Sequence, residues 1–399
     1  MICKICNMKI KSFLSFGKMP MANGFLAKKN FKKEFFYKLE VGFCKKDFLF
    51  QVNDHPKSPH IFNNHYPFYT NKSKFMTKHF NQYFKWSKKY LKKNSKVIEI
   101  GSNDGTFLKN FKLAKYDHLG IEPSKNVADF SKKINKVKVK NQFFNSKNCK
   151  KLKKFNKDTD LICAANVISH IPNLNDLMKG LDILLSKKGV FIFEEPYLGS
   201  MFKKVSYDQI YDAHIFIFSL HAVQQIFKKY RLELIDAILQ KTHGGSMRYI
   251  LARKGQRNKT KRMSKLISKE KKLGLNKISS CYKFKKACFK SRKNFRKKII
   301  DLKKKGKSIA GYAASAKSST VLNFCKIDHN HIDYITDSTK EKIGKYTPGS
   351  HIPIVSNKYF KKNYPNFLIL CSWNHKKEIK KKEIKYTKFG GKWISHIDQ

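Results

Sequence analysis

The segment Glu99-Ile100-Gly101-Ser102-Asn103-Asp104-Gly105 sets two glycines and several polar side chains behind a short apolar run. Glycines in such a turn let the backbone pass close to a bound ligand, which a Cβ would obstruct. Farther on, Leu119-Gly120-Ile121-Glu122-Pro123 reads as a second strand ending in an acid. An acid at that sheet edge can accept hydrogen bonds from two ribose hydroxyls. Asn103 and Asp104 fill the middle of the turn, so the pattern departs from the GxGxxG dinucleotide fingerprint. A plain strand-to-helix turn would also account for the glycines. Glu122 moves the balance toward a nucleotide site.

Six further groupings could do chemistry. In Tyr211-Asp212-Ala213-His214 the histidine is followed by apolar residues. Such neighbours can keep an imidazole neutral and able to take a proton, although a buried histidine satisfied by backbone fits equally. His170, in Asn166-Val167-Ile168-Ser169-His170, is a second candidate at a strand end. Asn166 and Glu195 fall, with Asn103 and Glu122, at the carboxyl ends of strands, where ligands of α/β sheets bind. The polar turn His243-Gly244-Gly245-Ser246-Met247-Arg248 offers Arg248 to a carboxylate or phosphate, or else simply turns tightly into a last strand. Lys317, Ser318 and Ser319 open a helix and could present a cation, hydroxyls and amides to a phosphate. Tyr66 and Tyr69 belong to an aromatic segment, 65–73, that reads as substrate-facing or as a loop packing aromatics on the core. Finally, Cys3 and Cys6 form a CxxC pair, with Cys44 and Asp47 at the spacing of a second pair. These four suit a structural zinc site in which Asp47 replaces a thiolate; ordinary core thiols are the alternative.

These groups must be positioned by regular elements. Residues 75–91 read as an amphipathic helix leading into the glycine turn. From 96 to 253 strands and helices alternate, with strands expected at 96–100, 117–121, 160–164, 189–193, 232–238 and 245–252. This implies an α/β fold with a largely parallel, doubly wound sheet. Residues 254–307 are Lys-rich and read as long solvated helices. Strand, small-residue loop and helix then recur from Ser308, with further strands ending at Asp337 and Cys371, as in a second Rossmann-like half. Three units follow: 1–75, 76–253 and 254–399.

The formal charge of +58 raises the possibility of a nucleic-acid partner. Only seven of the 86 basic residues are Arg, and Lys is spread along the chain rather than gathered in a patch. A solvated Lys surface is the expectation, with no specific nucleic acid bound; its positive field would still steer an anionic substrate. No run of eighteen apolar residues occurs, so no membrane span is expected. The N-terminus lacks a signal-peptide core, and nine cysteines without a dense framework suit reduced thiols, so a cytoplasmic protein is expected.

In their order and spacing the motifs resemble the S-adenosylmethionine-dependent sugar C-methyltransferases that act on nucleotide-linked 4-keto deoxyhexoses. The resemblance rests on the CxxC start, Tyr66 to Ser73, Glu99 to Gly105, Gly120 to Ser124, Asn166 to His170 and Glu195-Pro196-Tyr197. It continues through Tyr211 to His214, His243 to Ser246, Gly311 to Thr320 and Lys345 to Gly349. It implies a central Rossmann-like methyltransferase domain between a small zinc-binding domain and a C-terminal Rossmann-like domain. Glu99, Gly101, Ser102, Asn103, Asp104, Gly105, Glu122, Pro123 and Asn166 would then serve S-adenosylmethionine. His214 would be the base, with Tyr211, Tyr66 and His170 beside it. Tyr69, Glu195, His243, Arg248, Lys317, Ser318 and Tyr346 would meet the nucleotide sugar. Cys3, Cys6, Cys44 and Asp47 would hold zinc. A monomer is expected. The chain departs from the family's Tyr-x-Glu-His motif at Ala213, which suggests a weakened member as one alternative. Methylation of another small anionic metabolite and an RNA-directed activity are the others.

Overall fold

The computed structural model describes residues 1–53, 56, 61–64 and 66–398. His65, part of the aromatic segment singled out above, lies outside the described residues. The chain forms three sheets. Strands β1 (Ser12–Pro20), β2 (Phe36–Cys44) and β3 (Leu49–Val52) make an antiparallel N-terminal sheet. Its fourth strand, β9 (Phe216–Ile217), arrives from far along the chain and pairs with β3.

The central sheet contains β4 (Lys96–Ile100), β5 (Asp117–Ile121), β6 (Val139–Lys140), β7 (Thr159–Ala165), β8 (Leu185–Pro196), β10 (Leu232–Gln240) and β11 (Ser246–Arg253), in the order β10-β11-β8-β7-β4-β5-β6. Strands β8, β7, β4, β5 and β6 run parallel, and β11 runs antiparallel to both neighbours. Central strands read as near-continuous apolar runs because helices cover both faces; Val190, Phe191, Ile192 and Phe193 are all fully buried. The helix Lys74–Ser87 packs on this sheet, capped by the Ser73 hydroxyl and anchored by the Tyr83 hydroxyl donating to the Ile192 carbonyl. Substituting such a cap costs about 1 kcal/mol.

A third, wholly parallel sheet follows the long helices Lys261–Leu273 and Ile278–Lys304. It is built from β12 (Ile309–Tyr312), β13 (Tyr334–Asp337), β14 (Ile354–Ser356), β15 (Phe367–Leu370) and β16 (Lys392–Ile394), in the order β14-β13-β12-β15-β16. The fold is thus α/β: a Rossmann-like centre with a small β unit before it and a second Rossmann-like unit after it. No helix among the described residues is long and apolar enough to cross a membrane.

All three units converge on residues 206–214. The Asp212 carboxylate accepts from the Ala22 amide, Thr320 donates to the Ile210 carbonyl, and Ser319 donates to the Ala22 carbonyl. Phe324 packs against both Phe16 and Tyr207.

Candidate active site

The glycine turn follows β4 at the carboxyl edge of the central sheet. Gly101, Asn103 and Gly105 all have positive φ, the left-handed region where glycine is at ease and Asn is the most tolerant alternative. A Cβ on Gly101 would collide with Val167, and one on Gly105 with Ser131 and Val137. What those glycines leave room for is therefore protein, a correction to the idea that they clear space for a ligand. Glu122, at the end of β5, accepts from the amides of Asn103 and Ser124, while burial raises its pKa. The Pro123 carbonyl accepts from Asn141.

Residues 66–71 lie across this turn. The Asn103 side chain accepts from the Thr70 amide and hydroxyl and donates to the Phe68 carbonyl. Asp104 accepts from the Asn71 amide and from Thr106. Asn126 donates to the Tyr66 carbonyl and the Tyr69 hydroxyl. Burial, and then Glu122, push the Tyr66 phenol above its ordinary range.

Several buried polar atoms around this edge have no hydrogen-bond partner among the described residues: Glu99 Oε2, Ser102 Oγ, Asn126 Oδ1, Gln142 Nε2 and Asn166 Oδ1. Buried polar groups are normally satisfied, so these atoms are open to bonds from a polar ligand or from water. Asn166 also holds a positive φ, a conformation that tends to cluster at ligand sites. Asn126 and Gln142 escaped the sequence reading: one sits in the helix Lys125–Ile134, the other just past a two-residue strand. Neither place carries a local signal.

His214 lies beyond the same edge. Its Nδ1 is 2.7 Å from the Gln209 carbonyl oxygen, which can only accept, so Nδ1 carries the hydrogen. Nε2 then holds the lone pair and accepts from the Tyr211 hydroxyl at 2.8 Å. Burial, followed by His170, holds His214 well below the ordinary histidine range. The His170 ring stacks on it at 5.2 Å between centroids, and Phe62 stacks on His170 at 5.6 Å. Burial lowers His170 to about 4 and His243 to about 3. The Nε2 atoms of both are buried without partners among the described residues, as are Gln209 Oε1, Thr242 Oγ1 and Lys317 Nζ. This second group of orphaned atoms, next to a neutral imidazole with a fixed tautomer, has the parts for moving a proton.

Other expected site residues go elsewhere. Glu195 accepts from the Val167 and Ser169 amides and the Ser169 hydroxyl, and burial raises it to about 7. Its contacts shape the loop that carries His170 and are not open to a substrate. Arg248 is buried in an ion pair with Glu194, which also binds His79, and its guanidinium stacks over Tyr83. It ties the Lys74–Ser87 helix to the sheet and anchors no ligand. Ser318 spends its hydroxyl on the capping box with Ser315. Tyr346 bridges to Leu26 through its backbone and rests edge-on against Phe31, at the contact between the first and third units. His243 adopts positive φ, and a Cβ on the following Gly244 would strike Trp373. Gly244 admits an indole of the third unit, while a Cβ on Gly245 would meet Ser200.

At the β2–β3 turn of the N-terminal sheet, Cys3, Cys6, Cys44 and Asp47 bring one ligand atom each within 4.8 Å of one another. Zn–S bonds of about 2.3 Å imply ligand separations of about 3.7 Å in a tetrahedron; Cys6 and Cys44 sulfurs are 3.6 Å apart, and Cys3 lies 3.4 Å from Asp47 Oδ2. The donor set and spacing fit zinc.

Three family models match in series. Residues 3–62 match one described as "Putative zinc binding domain", 70–237 a methyltransferase domain, and 241–397 a C-methyltransferase C-terminal domain. The chain is 25% identical over 402 residues to C-methyltransferase NovU of Streptomyces niveus, covering 100% of this chain and 95% of that protein. Solved structures that resemble part of it include a SAM-dependent methyltransferase from Archaeoglobus fulgidus, with 17% identity, 42% of this chain and 71% of that chain covered, and a TM-score of 0.35. Another is the PH0226 protein from Pyrococcus horikoshii OT3, with 16% identity, 50% and 100% covered, and a TM-score of 0.39. Structural likenesses of that size bear no weight. The domain series and the full-length relative do: the chain is an S-adenosylmethionine-dependent methyltransferase.

Proposed function

We propose that the chain methylates a carbon of a nucleotide-linked 4-keto deoxysugar, through an enolate. The observation that carries this reading is His214: a buried, neutral imidazole whose Nδ1 hydrogen is tied to Gln209 and whose Nε2 lone pair faces Tyr211. Transfer to oxygen or nitrogen of a readily ionised substrate would not call for so protected a base; removal of a hydrogen from carbon would. A ketone at C4 acidifies the neighbouring C3 hydrogen. His214 Nε2 takes that proton once the Tyr211 hydrogen turns from Nε2 toward the C4 oxygen, where it stabilises developing charge. Glu195 acts as a positioning residue for the loop of His170. Residues 1–75, 76–253 and 254–399 are assigned as zinc-type, cofactor and substrate units.

S-adenosylmethionine, when bound, supplies an electrophilic methyl group. Glu122 would hold its ribose hydroxyls, and Glu99, Ser102, Asn126, Gln142 and Asn166 have unpartnered atoms to offer it. Glu122→Ala is expected to weaken S-adenosylmethionine binding at least tenfold, because a lost hydrogen bond to a charged group costs about 1.5–3 kcal/mol. Titration calorimetry checks this; unchanged affinity removes Glu122 from the site. Function itself is tested by mass spectrometry of the purified chain with S-adenosylmethionine and a panel of nucleoside-diphosphate 4-keto sugars. Product gaining a methyl on carbon is expected, and no product from any member would reject the sugar.

Ala213 need not weaken the enzyme. The Gln209 carbonyl already fixes the His214 tautomer, and Asp212 is turned away to the Ala22 amide. Ala213 is buried, so a carboxylate there would be desolvated. Ala213→Glu is therefore expected to give no gain in turnover; a clear gain would mean that the ring lacks a partner it needs.

A further inference from the structure

We propose that the Lys317 ammonium is the cationic hydrogen-bond donor to the substrate oxygen that becomes negative when His214 removes the neighbouring proton. This rests on the enolate reading above. Lys317 opens the helix Ala316–Cys325, and its Nζ is buried with no hydrogen-bond partner among the described residues. The Asp208 carboxylate is 3.9 Å away, beyond hydrogen-bond reach, and its own oxygens are taken by Trp373 Nε1 at 2.8 Å and His396 Nε2 at 3.2 Å. The Trp373 ring centroid lies 5.4 Å from Nζ. Asp208 offsets part of the cost of burying this cation, but the ammonium hydrogens still lack an acceptor. Burial lowers its pKa and Asp208 opposes that, and its charge reaches both His214 and His243.

A phosphate is the competing occupant, and the serine donors beside Lys317 are already engaged. The Ser318 hydroxyl is used in the capping box, the Ser318 amide is held by Ser315 Oγ, and the Ser319 hydroxyl donates to the Ala22 carbonyl. What remains is one ammonium within electrostatic reach of neutral imidazoles, a setting for a single oxygen whose charge appears only during the reaction. The C3–H bond breaks and its proton goes to His214 Nε2. The electron pair forms the C3–C4 double bond, and the carbonyl pair moves to the C4 oxygen, which accepts from Lys317 Nζ–H. Lys317 keeps its proton and nothing is oxidised. When the carbon takes the methyl, the carbonyl reforms and the charge disappears.

The test uses the full chain and two variants, Lys317→Met and Lys317→Gln, with S-adenosylmethionine affinity and circular dichroism as checks on folding. The readouts are exchange of the C3 hydrogen of nucleoside-diphosphate 4-keto sugars into deuterated water, and calorimetric affinity for UDP and dTDP. Exchange turnover is expected to fall by about 10²-fold or more, the size seen on removing one oxyanion donor, with nucleotide affinity and KM little changed. Tenfold weaker nucleotide binding with turnover intact would make Lys317 a phosphate anchor and overturn the proposal. Parental exchange rates in both variants would overturn it outright. A parent chain that exchanges no 4-keto sugar would instead overturn the substrate reading on which it rests.

Discussion

His214→Asn is expected to abolish exchange of the sugar C3 hydrogen with deuterated water, a loss of about 10²–10⁴-fold, while S-adenosylmethionine still binds. Asn lacks a basic lone pair, yet it is small enough to fit where the imidazole sat. The proposed cofactor residues are separate, since the glycine turn is held by Glu122 and by Thr70 and Asn71 rather than by residue 214. Exchange requires no methyl transfer, so it isolates the proton step. Rates equal to the parent would remove His214 as base and direct attention to His170, whose Nε2 is also free. The same base fixes a pH profile. Burial places His214 well below the ordinary 6.5, so the neutral form persists as pH falls through that value. kcat/KM should stay on its plateau at pH 6.5, where an unperturbed imidazole would be half protonated. An acidic limb centred at 6.5 or above would show that His214 is solvated or not the base.

Much of this site was legible because its determinants are local. A strand, a glycine turn and an acid at the next strand end are set by neighbours in sequence, and Tyr211 reaches His214 within one turn of chain. The failures share a different cause. Arg248 looked like an anchor for a ligand, but its partner Glu194 comes from β8, and only the β8–β11 pairing brings the two together. Glu195 has the same history, captured by a loop 26 residues earlier in the chain. Ser318 was open to better reading: Ser315 stands three positions before it, and such spacing at a helix start predicts mutual capping. The N-terminal sheet was the least legible, because its last strand is two residues long and lies just past His214. No periodicity exists in so short a run, and pairing with β3 decides it.

That borrowed strand links the N-terminal cluster to the loop of His214, and it determines what metal removal should do. The purified chain is expected to carry about one zinc, and stripping it should loosen the N-terminal sheet and slow C3–H exchange while leaving S-adenosylmethionine affinity intact. Cys3 and Cys6 tether the chain start, and Cys44 and Asp47 bracket the β2–β3 turn. Without the metal, three thiols and a carboxylate lose the bonds that hold this end together; structural zinc contributes about 10–16 kcal/mol in isolated finger peptides. β3 in turn holds the base loop, since the Val52 amide donates to the Ile215 carbonyl at 2.9 Å and Phe50 and Gln51 pair with β9. The glycine turn has no such dependence. Asp47 adds a second connection, because Oδ2 faces the thiols while Oδ1 pairs with Lys229 at 2.9 Å. Lys229 leaves the helix Leu220–Lys228 of the central unit, so the carboxylate that replaces a fourth thiolate also joins two units. Lys229→Met should lower zinc affinity by about 10–100-fold, the usual effect of losing a group that orients a ligand. Elemental analysis, amide exchange at Val52 and Phe216, C3–H exchange and calorimetry with S-adenosylmethionine measure these effects separately. A metal-free protein with reduced cysteines and fully protected Val52 would show that packing alone holds the cluster, and would sever this route from the first unit to the base.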